Sequence, residues 1–234
     1  MTRSRWIIFA LICAVILGGL VWISNSNRVD VSKLEKFKVI GSTKEFAIAD
    51  HVYGSKDGKV TIIEYGDFQC PGCASLHPVL KPMLSEYQNQ ITFVFRNFPL
   101  TNIHPNALAA AAAAEAAGKQ GKFYAMHDVL YSKQAEWQGS SATDRTNLFR
   151  QYAEIIGLDL NKYDTDVKDK DVTQKIRRDQ ALGGASKVEN TPSLFINGNR
   201  VNSDILKDPT KIEEAIKKAI LESGQELPKE KKQS

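Results

Sequence analysis

The stretch E64-Y-G-D-F-Q-C-P-G-C73 places two cysteines two residues apart, directly after a run of strand-like residues. That run, V60-T-I-I-E-Y65, is β-branched and almost continuous, which is typical of a strand buried in the middle of a sheet. The segment from Cys73 to about Gln88 has the apolar spacing of a helix. The sequence therefore predicts a strand–turn–helix unit with Cys70 where the helix begins.

This position favours two thiols of unequal reactivity. The unpaired N–H groups and the positive dipole end at the start of a helix stabilise a thiolate. Pro71 suits the first turn because its φ is already helical and it has no N–H to leave unpaired. We therefore expect Cys70 to be the accessible, attacking thiolate and Cys73, one turn further in, to be the protected resolving thiol.

Two other uses of the cysteine pair have weaker support in the sequence. A structural zinc site needs about four ligands, and the chain has no second C-x-x-C motif. His77 lies four residues after Cys73, so a Cys/Cys/His cluster is conceivable, but His51, His104 and His127 have no ligand-like spacing to it. A structural disulfide would close a very short loop and would constrain the unfolded chain little. We predict neither a metal nor a cofactor.

The remaining strands are read from apolar runs and turn residues. I91-T-F-V-F95 predicts a second buried strand. S193-L-F-I196 predicts another, with a hairpin turn at N197-G198 and a partner strand at Arg200 to Asn202. We also predict a short edge strand at F46-A-I-A49 and, after it, a chain reversal where Asp57 precedes Gly58.

A block of helices separates these two groups of strands. Helical patterns are predicted in five segments, N106 to A117 with Pro105 at its first position, F123 to L130, T146 to I156, about Val167 to Leu182, and Pro209 to Leu221. The order β–α–β, helical block, β–β–α predicts one sheet that the chain leaves and rejoins. The fold class is therefore a single α/β domain with a helical lid.

The N-terminus predicts a membrane anchor. The run from Trp6 to Ile23 carries no charge, and a helix rising ~1.5 Å per residue nearly crosses a ~30 Å hydrocarbon core over this length. Arg3 and Arg5 should keep the N-terminus in the cytoplasm and send the rest of the chain outward. A cleaved signal peptide is the competing interpretation, but S24-N-S-N-R28 lacks a small-x-small cleavage site.

These patterns divide the chain into four parts. We predict a transmembrane anchor or uncleaved signal at 1–24, a linker at 25–45, a catalytic domain at 46–222 and a charged tail at 223–234. The 234 residues are 42% hydrophobic and 25% charged with a net charge of +4. No basic stripe with interleaved aromatic residues stands out, so nucleic acid is not an expected partner.

The strand–C-P-x-C–helix unit resembles the thioredoxin superfamily. The context D67-F-Q-C-P-G-C73, the helix start H104-P-N-A-L108 and the later T191-P-S-L-F-I-N-G198 resemble its DsbA-like branch, more narrowly the membrane-anchored bacterial thiol:disulfide oxidoreductases. The resemblance covers roughly residues 46–222. It implies a thioredoxin-like mixed sheet with a helical domain inserted at about 102–186, preceded by one N-terminal transmembrane helix.

The resemblance also implies roles for residues on three segments. Pro192 matches the cis-proline that faces the redox pair, and the backbone of Thr191 before it can pair with an extended substrate segment. Pro78, five residues after Cys73, matches the proline that kinks the active-site helix. Pro71 and Gly72 lie between the two cysteines and support the site.

Glu64 and Gly72 bear on the acidity of the thiols. Glu64 stands six residues before Cys70, where the family places a buried acid that can relay the proton of Cys73. The alternative is a half-exposed acid with little effect. Gly72 replaces a histidine that the strongly oxidising relatives often carry, so we expect Cys70 to be less acidic than in those relatives.

The expected function is thiol:disulfide exchange that forms disulfide bonds in exported proteins. The resemblance implies reduced or unfolded exported proteins as substrates, a quinone-linked membrane partner that reoxidises the pair, and a monomer. The location would be the cell membrane, with the catalytic domain on the extracytoplasmic side. An extracytoplasmic reductase or isomerase is the first alternative, and a non-catalytic, membrane-tethered binding module is the second.

Overall fold

A computed structural model of the chain describes residues 3–26 and 29–228. It divides into two compact units, Met1–Asp30 and Val31–Ser234. The first unit contains helix α1, Arg3–Ser26. Among the residues described, no helix is both long enough and apolar enough to cross a membrane, so the predicted anchor stays a prediction. Part of the predicted charged tail, residues 229–234, lies outside the described residues.

A mixed sheet forms the centre of the second unit. Its strands, in the described part of the chain, are β1 Val52–Gly54, β2 Val60–Gly66, β3 Ile91–Asn97, β4 Ser193–Ile196 and β5 Asn199–Arg200. The spatial order is β1-β3-β2-β4-β5. Strands β2 and β3 are parallel, and every other neighbouring pair is antiparallel. The mixed α/β sheet predicted from the sequence is confirmed.

Helices connect and cover the strands. They are α2 Pro71–Glu86, α3 Ala107–Lys119, α4 Phe123–Ser132, α5 Gln134–Trp137, α6 Ala142–Ile155, α7 Leu160–Asp166, α8 Lys170–Ala185 and α9 Pro209–Glu222. Helix α2 follows β2 directly, and α3 to α8 occupy the chain between β3 and β4. The alanine-rich α3 is buried along most of its length, because methyl side chains allow a helix to approach its neighbours closely.

The pleat of β2 decides which of its side chains face the active-site helix. Alternate residues of a strand point to opposite faces, so Val60, Ile62 and Glu64 share one face, where Val60 and Ile62 join the main core with α2. Ile63 and Tyr65 join a smaller core on the other face. Both faces are covered, which is the physical reason for the almost continuous apolar run in the sequence.

Several predicted boundaries are wrong. Residues 46–49 form no strand. Phe46 is nevertheless buried, and this burial gives the segment its strand-like apolar pattern. The edge strand is β1, which begins at Val52 and pairs with β3 rather than with β2. Strand β5 ends at Arg200, earlier than predicted. Helix α3 begins at Ala107 with Asn106 as its cap, so Pro105 lies before the helix.

The linker prediction is wrong for residues 31–45. Leu34 and Phe37 pack against the smaller core, and Ile40 is only 7% exposed. Arg96 of β3 donates hydrogen bonds to the backbone carbonyl oxygens of Lys36 and Lys38, the latter at 2.8 Å. The polar composition of this segment does not indicate an ordered structure. Arg96 holds the segment through hydrogen bonds to its backbone carbonyl oxygens, and these do not depend on the side chains of the segment.

Candidate active site

The loop between β2 and α2 places Cys70 at the tip of the helix. Cys70 is the N-cap residue with an extended backbone (φ −72°, ψ 122°), and Pro71 is the first helical residue. The Cys70 N–H donates to the Asp67 carbonyl oxygen at 3.0 Å. Gln134 of α5 donates from Nε2 to the carbonyl oxygens of Phe68 (2.7 Å) and Cys70 (3.1 Å). The backbone of this loop is therefore fixed from two sides.

Asp67 makes the loop rigid through both of its carboxylate oxygens. Oδ1 accepts from the N–H of Gln69 at 2.7 Å, and Oδ2 accepts from the N–H of Leu100 at 2.9 Å. Nδ1 of His104 lies 2.7 Å from the same Oδ2. Asp67 therefore both shapes the turn before Cys70 and pairs with His104.

The two thiols of the pair, both free, differ in exposure. Cys70 is 8% exposed and Cys73 is 0% exposed. A reagent or a client thiol in solution can therefore reach only the sulfur of Cys70.

Several groups lower the pKa of Cys70 to about 5. The largest cause is a hydrogen bond from the thiol of Cys73, and the backbone N–H groups of Gly72 and Cys73 and the Thr191 side chain act in the same direction against the opposing effect of burial. A helix start supplies such unpaired N–H groups because it has no preceding turn to accept from them. At neutral pH, Cys70 is a thiolate.

Cys73 is held in the opposite state. Burial raises the pKa of the Cys73 thiol well above its ordinary value, and the hydrogen bond to Cys70 and the charge of Glu64 raise it further. A sulfur that is protonated and sealed from solvent cannot compete with Cys70 for external reagents. The two thiols therefore differ in burial and in acidity, and their attacking and resolving roles in thiol–disulfide exchange stay a prediction.

The loop before β4 lies against the pair. The Thr191–Pro192 peptide bond is cis, and Sγ of Cys70 donates to the Thr191 carbonyl oxygen at 3.4 Å. A Cβ atom on Gly72 would lie 3.2 Å from Cδ of Pro192 and 3.7 Å from Sγ of Cys70. Glycine at position 72 therefore allows the helix tip and this loop to approach closely, a role that the sequence does not indicate.

Glu64 is buried beneath the pair. It is 4% exposed, and burial, followed by the charge of Cys70, raises its pKa to about 8. No basic side chain in the described residues forms an ion pair with its carboxyl group. Glu64 is therefore protonated at neutral pH, and the half-exposed position that the sequence left open is wrong.

Pro78 lies inside α2, one turn beyond Cys73, and Pro82 lies one further turn along. Each proline removes one N–H donor from the helix. Pro78 was predicted to interrupt the active-site helix, and Pro82 was not.

Tyr131 and Gln134 were not identified from the sequence. The hydroxyl oxygen of Tyr131 is buried without a hydrogen-bond partner, and burial and the neighbouring Cys73 raise its pKa well above the ordinary value. A Cβ atom on Gly66 would lie 2.3 Å from Cε2 of Phe95 and 3.0 Å from this oxygen, so a side chain at the end of β2 would displace the Phe95 ring. No pattern signals either residue, because each lies about 60 residues from the cysteines in the chain.

A groove runs beside Cys70 along α2. It has a volume of about 560 Å³ and is lined by Gly72, Leu76, Val79, Thr191, Pro192 and Leu206, among others. Its lining combines these apolar side chains with polar ones, including Ser75, Asn190 and Ser203. An extended peptide segment can lie in such a groove with its own backbone beside Thr191.

Comparison with known proteins agrees with this geometry. The family model described as Thioredoxin matches residues 47–218. Among solved structures, a thioredoxin-like oxidoreductase from Silicibacter pomeroyi DSS-3 is 25% identical with a TM-score of 0.55, covering 71% of this chain and 92% of that one. DsbA2 from Pseudomonas aeruginosa is also 25% identical, with a TM-score of 0.57 and coverage of 73% and 94%.

The curated relatives are longer proteins. A protein named Na(+)/H(+) antiporter NhaA 1 from Salinispora arenicola is 40% identical over 151 residues, which are 64% of this chain and 22% of that protein. The chain spans only about a fifth to a third of the length of the curated relatives that it matches. That name describes a whole protein of which this chain matches one part, whereas the family model spans most of this chain: the chain belongs to the thioredoxin family, and its structure is similar to those of DsbA-type thiol-disulfide oxidoreductases.

Proposed function

We propose that the chain is a thiol:disulfide oxidoreductase that forms disulfide bonds in exported proteins. The observation that carries the proposal is the unequal cysteine pair, with Cys70 ionised at the helix tip and Cys73 buried and protonated. Thiol–disulfide exchange needs one good leaving group that faces the client and one thiol that resolves the intermediate. The family and the neighbouring structures support the same chemistry.

The oxidation of a client proceeds in two exchanges. A client thiolate attacks Sγ of Cys70, the Cys70–Cys73 bond breaks, and a mixed disulfide forms between the client and Cys70. The sulfur of Cys73 leaves as a thiolate and takes the proton of Glu64. The second thiolate of the client then attacks the client sulfur of the mixed disulfide and releases Cys70 as a thiolate. The client loses two electrons, and the pair gains them.

The acidity of Cys70 favours this direction over client reduction. A pair whose reduced form is stabilised is a stronger oxidant, and the low pKa of Cys70 stabilises the reduced form. The pKa of about 5 lies between the values of about 7 for thioredoxin and about 3.5 for DsbA. That position agrees with the expectation that Gly72 leaves Cys70 less acidic than in the strongest oxidants.

The variant Cys73→Ser tests the mechanism directly. Without the resolving thiol, mixed disulfides between Cys70 and client proteins should accumulate and should disappear on treatment with a reductant. Cys70→Ser is the matched negative control, and Cys13→Ser in the same background should leave the adducts unchanged. Failure of Cys73→Ser to form any adduct in cells producing cysteine-containing clients would refute the mechanism.

Reduction or isomerisation of client disulfides is the second candidate function. Equilibration of the pair with glutathione separates the candidates, since a potential closer to that of DsbA (about −120 mV) supports oxidation and one closer to that of thioredoxin (about −270 mV) supports reduction. A binding module without catalysis is excluded if a double Cys→Ala variant loses function in cells.

The proposal includes an extracytoplasmic location, attachment to the membrane, a monomeric state and reoxidation by a quinone-linked membrane partner. The uncharged run from Trp6 to Ile23 behind Arg3 and Arg5 supports the location and the attachment, and the monomeric state and the quinone-linked partner rest on the similarity to DsbA-type proteins. A membrane-impermeant thiol reagent should label reduced Cys70 in intact cells or spheroplasts. Labelling that occurs only after lysis would place the domain on the cytoplasmic side.

A further inference from the structure

Two histidines and an aspartate from two helices meet at one point outside the cysteine pair. His77 lies on α2, and His127 and Asp128 lie on α4. One nitrogen of each ring and one oxygen of the carboxylate lie within 4.8 Å of one another. The sequence spacing did not indicate this group, because His127 is fifty residues beyond His77.

The three side chains are joined by one long hydrogen bond, between Nδ1 of His127 and Oδ1 of Asp128. Oδ1 of Asp128 lies 3.5 Å from Nε2 of His77 and 3.3 Å from Nδ1 of His127. Both distances exceed the range of about 2.7–3.2 Å for good N–H···O bonds. In addition, Nε2 of His127 is buried without any hydrogen-bond partner. Such orphaned polar atoms are rare in folded proteins, and a bound ion is one way to satisfy them.

Packing fixes the positions of the ligand atoms. The ring of His127 packs edge-on against Phe68, Phe95 and Tyr131, with centroids 5.6, 4.8 and 5.0 Å away. The ring of His77 stacks on Tyr131 at 5.3 Å. Side chains held in this way lose little conformational entropy when they bind an ion, since their rotamers are already restricted.

The cluster borders a small cavity. The cavity has a volume of about 40 Å³ and is lined by His77, His127 and Asp128, with Lys81 also on its wall. This volume holds a small ion together with a water molecule that completes its coordination. The side chain of Asp128 is 33% exposed and that of His77 is 13% exposed, so an ion can enter from solvent.

We propose that His77, His127 and Asp128 bind a divalent transition metal ion of the zinc type. Two imidazole nitrogens and one carboxylate oxygen form the donor set of tetrahedral zinc sites that keep one position for water. Calcium and magnesium, which prefer oxygen ligands throughout, fit this set poorly. Glu64, which lies beneath the cysteine pair, lines the same cavity, but none of the three proposed ligands is a thiol, so the site can be tested in the oxidised protein.

Lys81 provides an internal control. Its Nζ lies 2.7 Å from the other carboxylate oxygen of Asp128, and its side chain is 58% exposed. An ammonium group at this distance repels a bound cation and competes for the carboxylate. Replacement by a neutral side chain should therefore strengthen metal binding, whereas loss of a ligand should weaken it.

Cobalt(II) titration of the full-length oxidised protein tests the proposal. Oxidation closes the Cys70–Cys73 disulfide, so the thiols cannot serve as ligands. We expect one equivalent of Co²⁺ to give the visible absorption of a four-coordinate nitrogen and oxygen site, without a sulfur charge-transfer band, and Zn²⁺ to displace it. His77→Gln and Asp128→Asn should each weaken binding more than tenfold, and Lys81→Gln should strengthen it.

Two results would overturn the proposal. One is the absence of visible absorption at an excess of Co²⁺. The other is binding that His77→Gln and Asp128→Asn leave unchanged. His77 and Asp128 are used in preference to the more deeply buried His127, and circular dichroism of each variant establishes that it is folded.

Discussion

Two groups of buried ionisable side chains lie in the same domain and are arranged in opposite ways. The first, the ion-pair network, joins three carboxylates to three cations, namely Asp50, Glu115, Asp179, Arg96, Lys175 and Arg178. The second, the active-site cluster, consists of Glu64, Cys70 and Cys73. Within the described part of the chain, no basic side chain forms an ion pair with Glu64.

The two buried carboxyl groups Asp50 and Glu64 show what this difference does. Burial alone would raise the pKa of both. At Asp50 the charges of Lys175, Arg96 and Arg178 outweigh burial and hold the pKa well below its ordinary value of 3.8. At Glu64 nothing opposes burial, and the pKa rises to about 8. Asp50 therefore stays ionised, whereas Glu64 keeps a proton that it can transfer near neutral pH.

The sheet register separates the two groups. Glu64 is aligned with Phe95 on the neighbouring strand, and Tyr65 is aligned with Arg96. Aligned residues of adjacent strands point to the same face, so Glu64 faces the apolar main core while Arg96 faces the opposite side. There Arg96 reaches Asp50 at 2.9 Å. Glu64 and Tyr65 are neighbours on β2, yet only Tyr65 lies on the same face of the sheet as Arg96.

Loss of one cation from the network should have the largest effect on stability. Arg178→Met removes the hydrogen bond from Nη2 to Oδ1 of Asp50, now 2.8 Å, and leaves a buried carboxylate short of one cation. We expect a loss of about 3–5 kcal/mol in the free energy of unfolding, because removal of one partner leaves the other charge buried and uncompensated. Urea denaturation at pH 7 measures it.

Two comparisons sharpen that result. Arg150→Met makes the same change in an exposed pair with Asp164, where both side chains are about half exposed, and should cost less than about 1 kcal/mol. Glu64→Gln should increase stability at pH 7, since the unfolded state loses the benefit of ionising this group. If Glu64→Gln lowered the free energy of unfolding as much as Arg178→Met does, the ion-pair network and the active-site cluster would not differ in their effect on stability.

The pH dependence of stability should differ in sign between the two groups. Between pH 4.5, the ordinary pKa of glutamate, and about 8, Glu64 keeps its proton when folded and loses it when unfolded. The folded state binds more protons, so stability falls as pH rises through this window. Asp50 has a lowered pKa, so its contribution is present above pH 3.8 and is lost on acidification.

The measurement requires the oxidised protein. In the reduced protein Cys70, with a pKa lowered from 9.0 to about 5, adds stability as pH rises between these values and opposes the effect of Glu64. The free energy of unfolding of the oxidised chain, measured by denaturant titration, should decline by a few kcal/mol from pH 5 to pH 8, and Glu64→Gln should flatten the decline. If the free energy of unfolding fell equally with pH in the unsubstituted chain and in Glu64→Gln, the pH dependence would come from another ionisable group.

Glu64→Gln should also slow the exchange reaction. Glutamine fills the same space but cannot give a proton to the departing Cys73 thiolate or take one from the thiol. We expect client oxidation at pH 7 to slow by roughly ten- to a hundredfold, toward the lower end of general acid–base effects. Stopped-flow oxidation of a dithiol peptide measures the rate. Glu86→Gln changes an exposed acid at the end of α2, the helix that carries Cys73, and should leave the rate unaltered.

The local parts of this architecture could be predicted from the sequence. The buried strand, the cysteine at the helix tip and the inner cysteine depend on residues within one continuous stretch, and the periodicity of that stretch reports their positions. The chain segment at 31–45 could not be predicted, because its order depends on Arg96 contacting its backbone from a strand more than fifty residues away. A polar sequence does not reveal such contacts.

The difference between Glu64 and Arg96 was equally hidden. Each is a single charged residue in an apolar strand, and nothing near it in the chain shows whether it has a partner. Asp50, the partner of Arg96, precedes the first strand. The role of Glu64 as a proton relay is implied by a family resemblance alone, and only the tertiary structure shows that no basic side chain among the described residues forms an ion pair with it.

The smallest expected effect concerns a neutral group at the edge of the active-site cluster. The Thr191 hydroxyl oxygen is buried without a hydrogen-bond partner, while the Cys70 thiol donates to the Thr191 carbonyl oxygen. When Cys70 ionises, it can no longer donate, and the hydroxyl can turn to donate to the thiolate instead.

Thr191→Val removes this donor and keeps the shape of the side chain. One hydrogen bond is worth about 0.5–1.5 kcal/mol, so the pKa of Cys70 should rise from about 5 by no more than about 1 unit. The pH profile of alkylation at Cys70 measures the shift. Ser75→Ala, which removes a hydroxyl that donates to the Pro71 carbonyl oxygen at 3.0 Å, should leave the profile in place. An unshifted profile in Thr191→Val would mean that the helix N–H groups and Cys73 alone stabilise the thiolate, and that the cluster is activated without help from the loop that faces it.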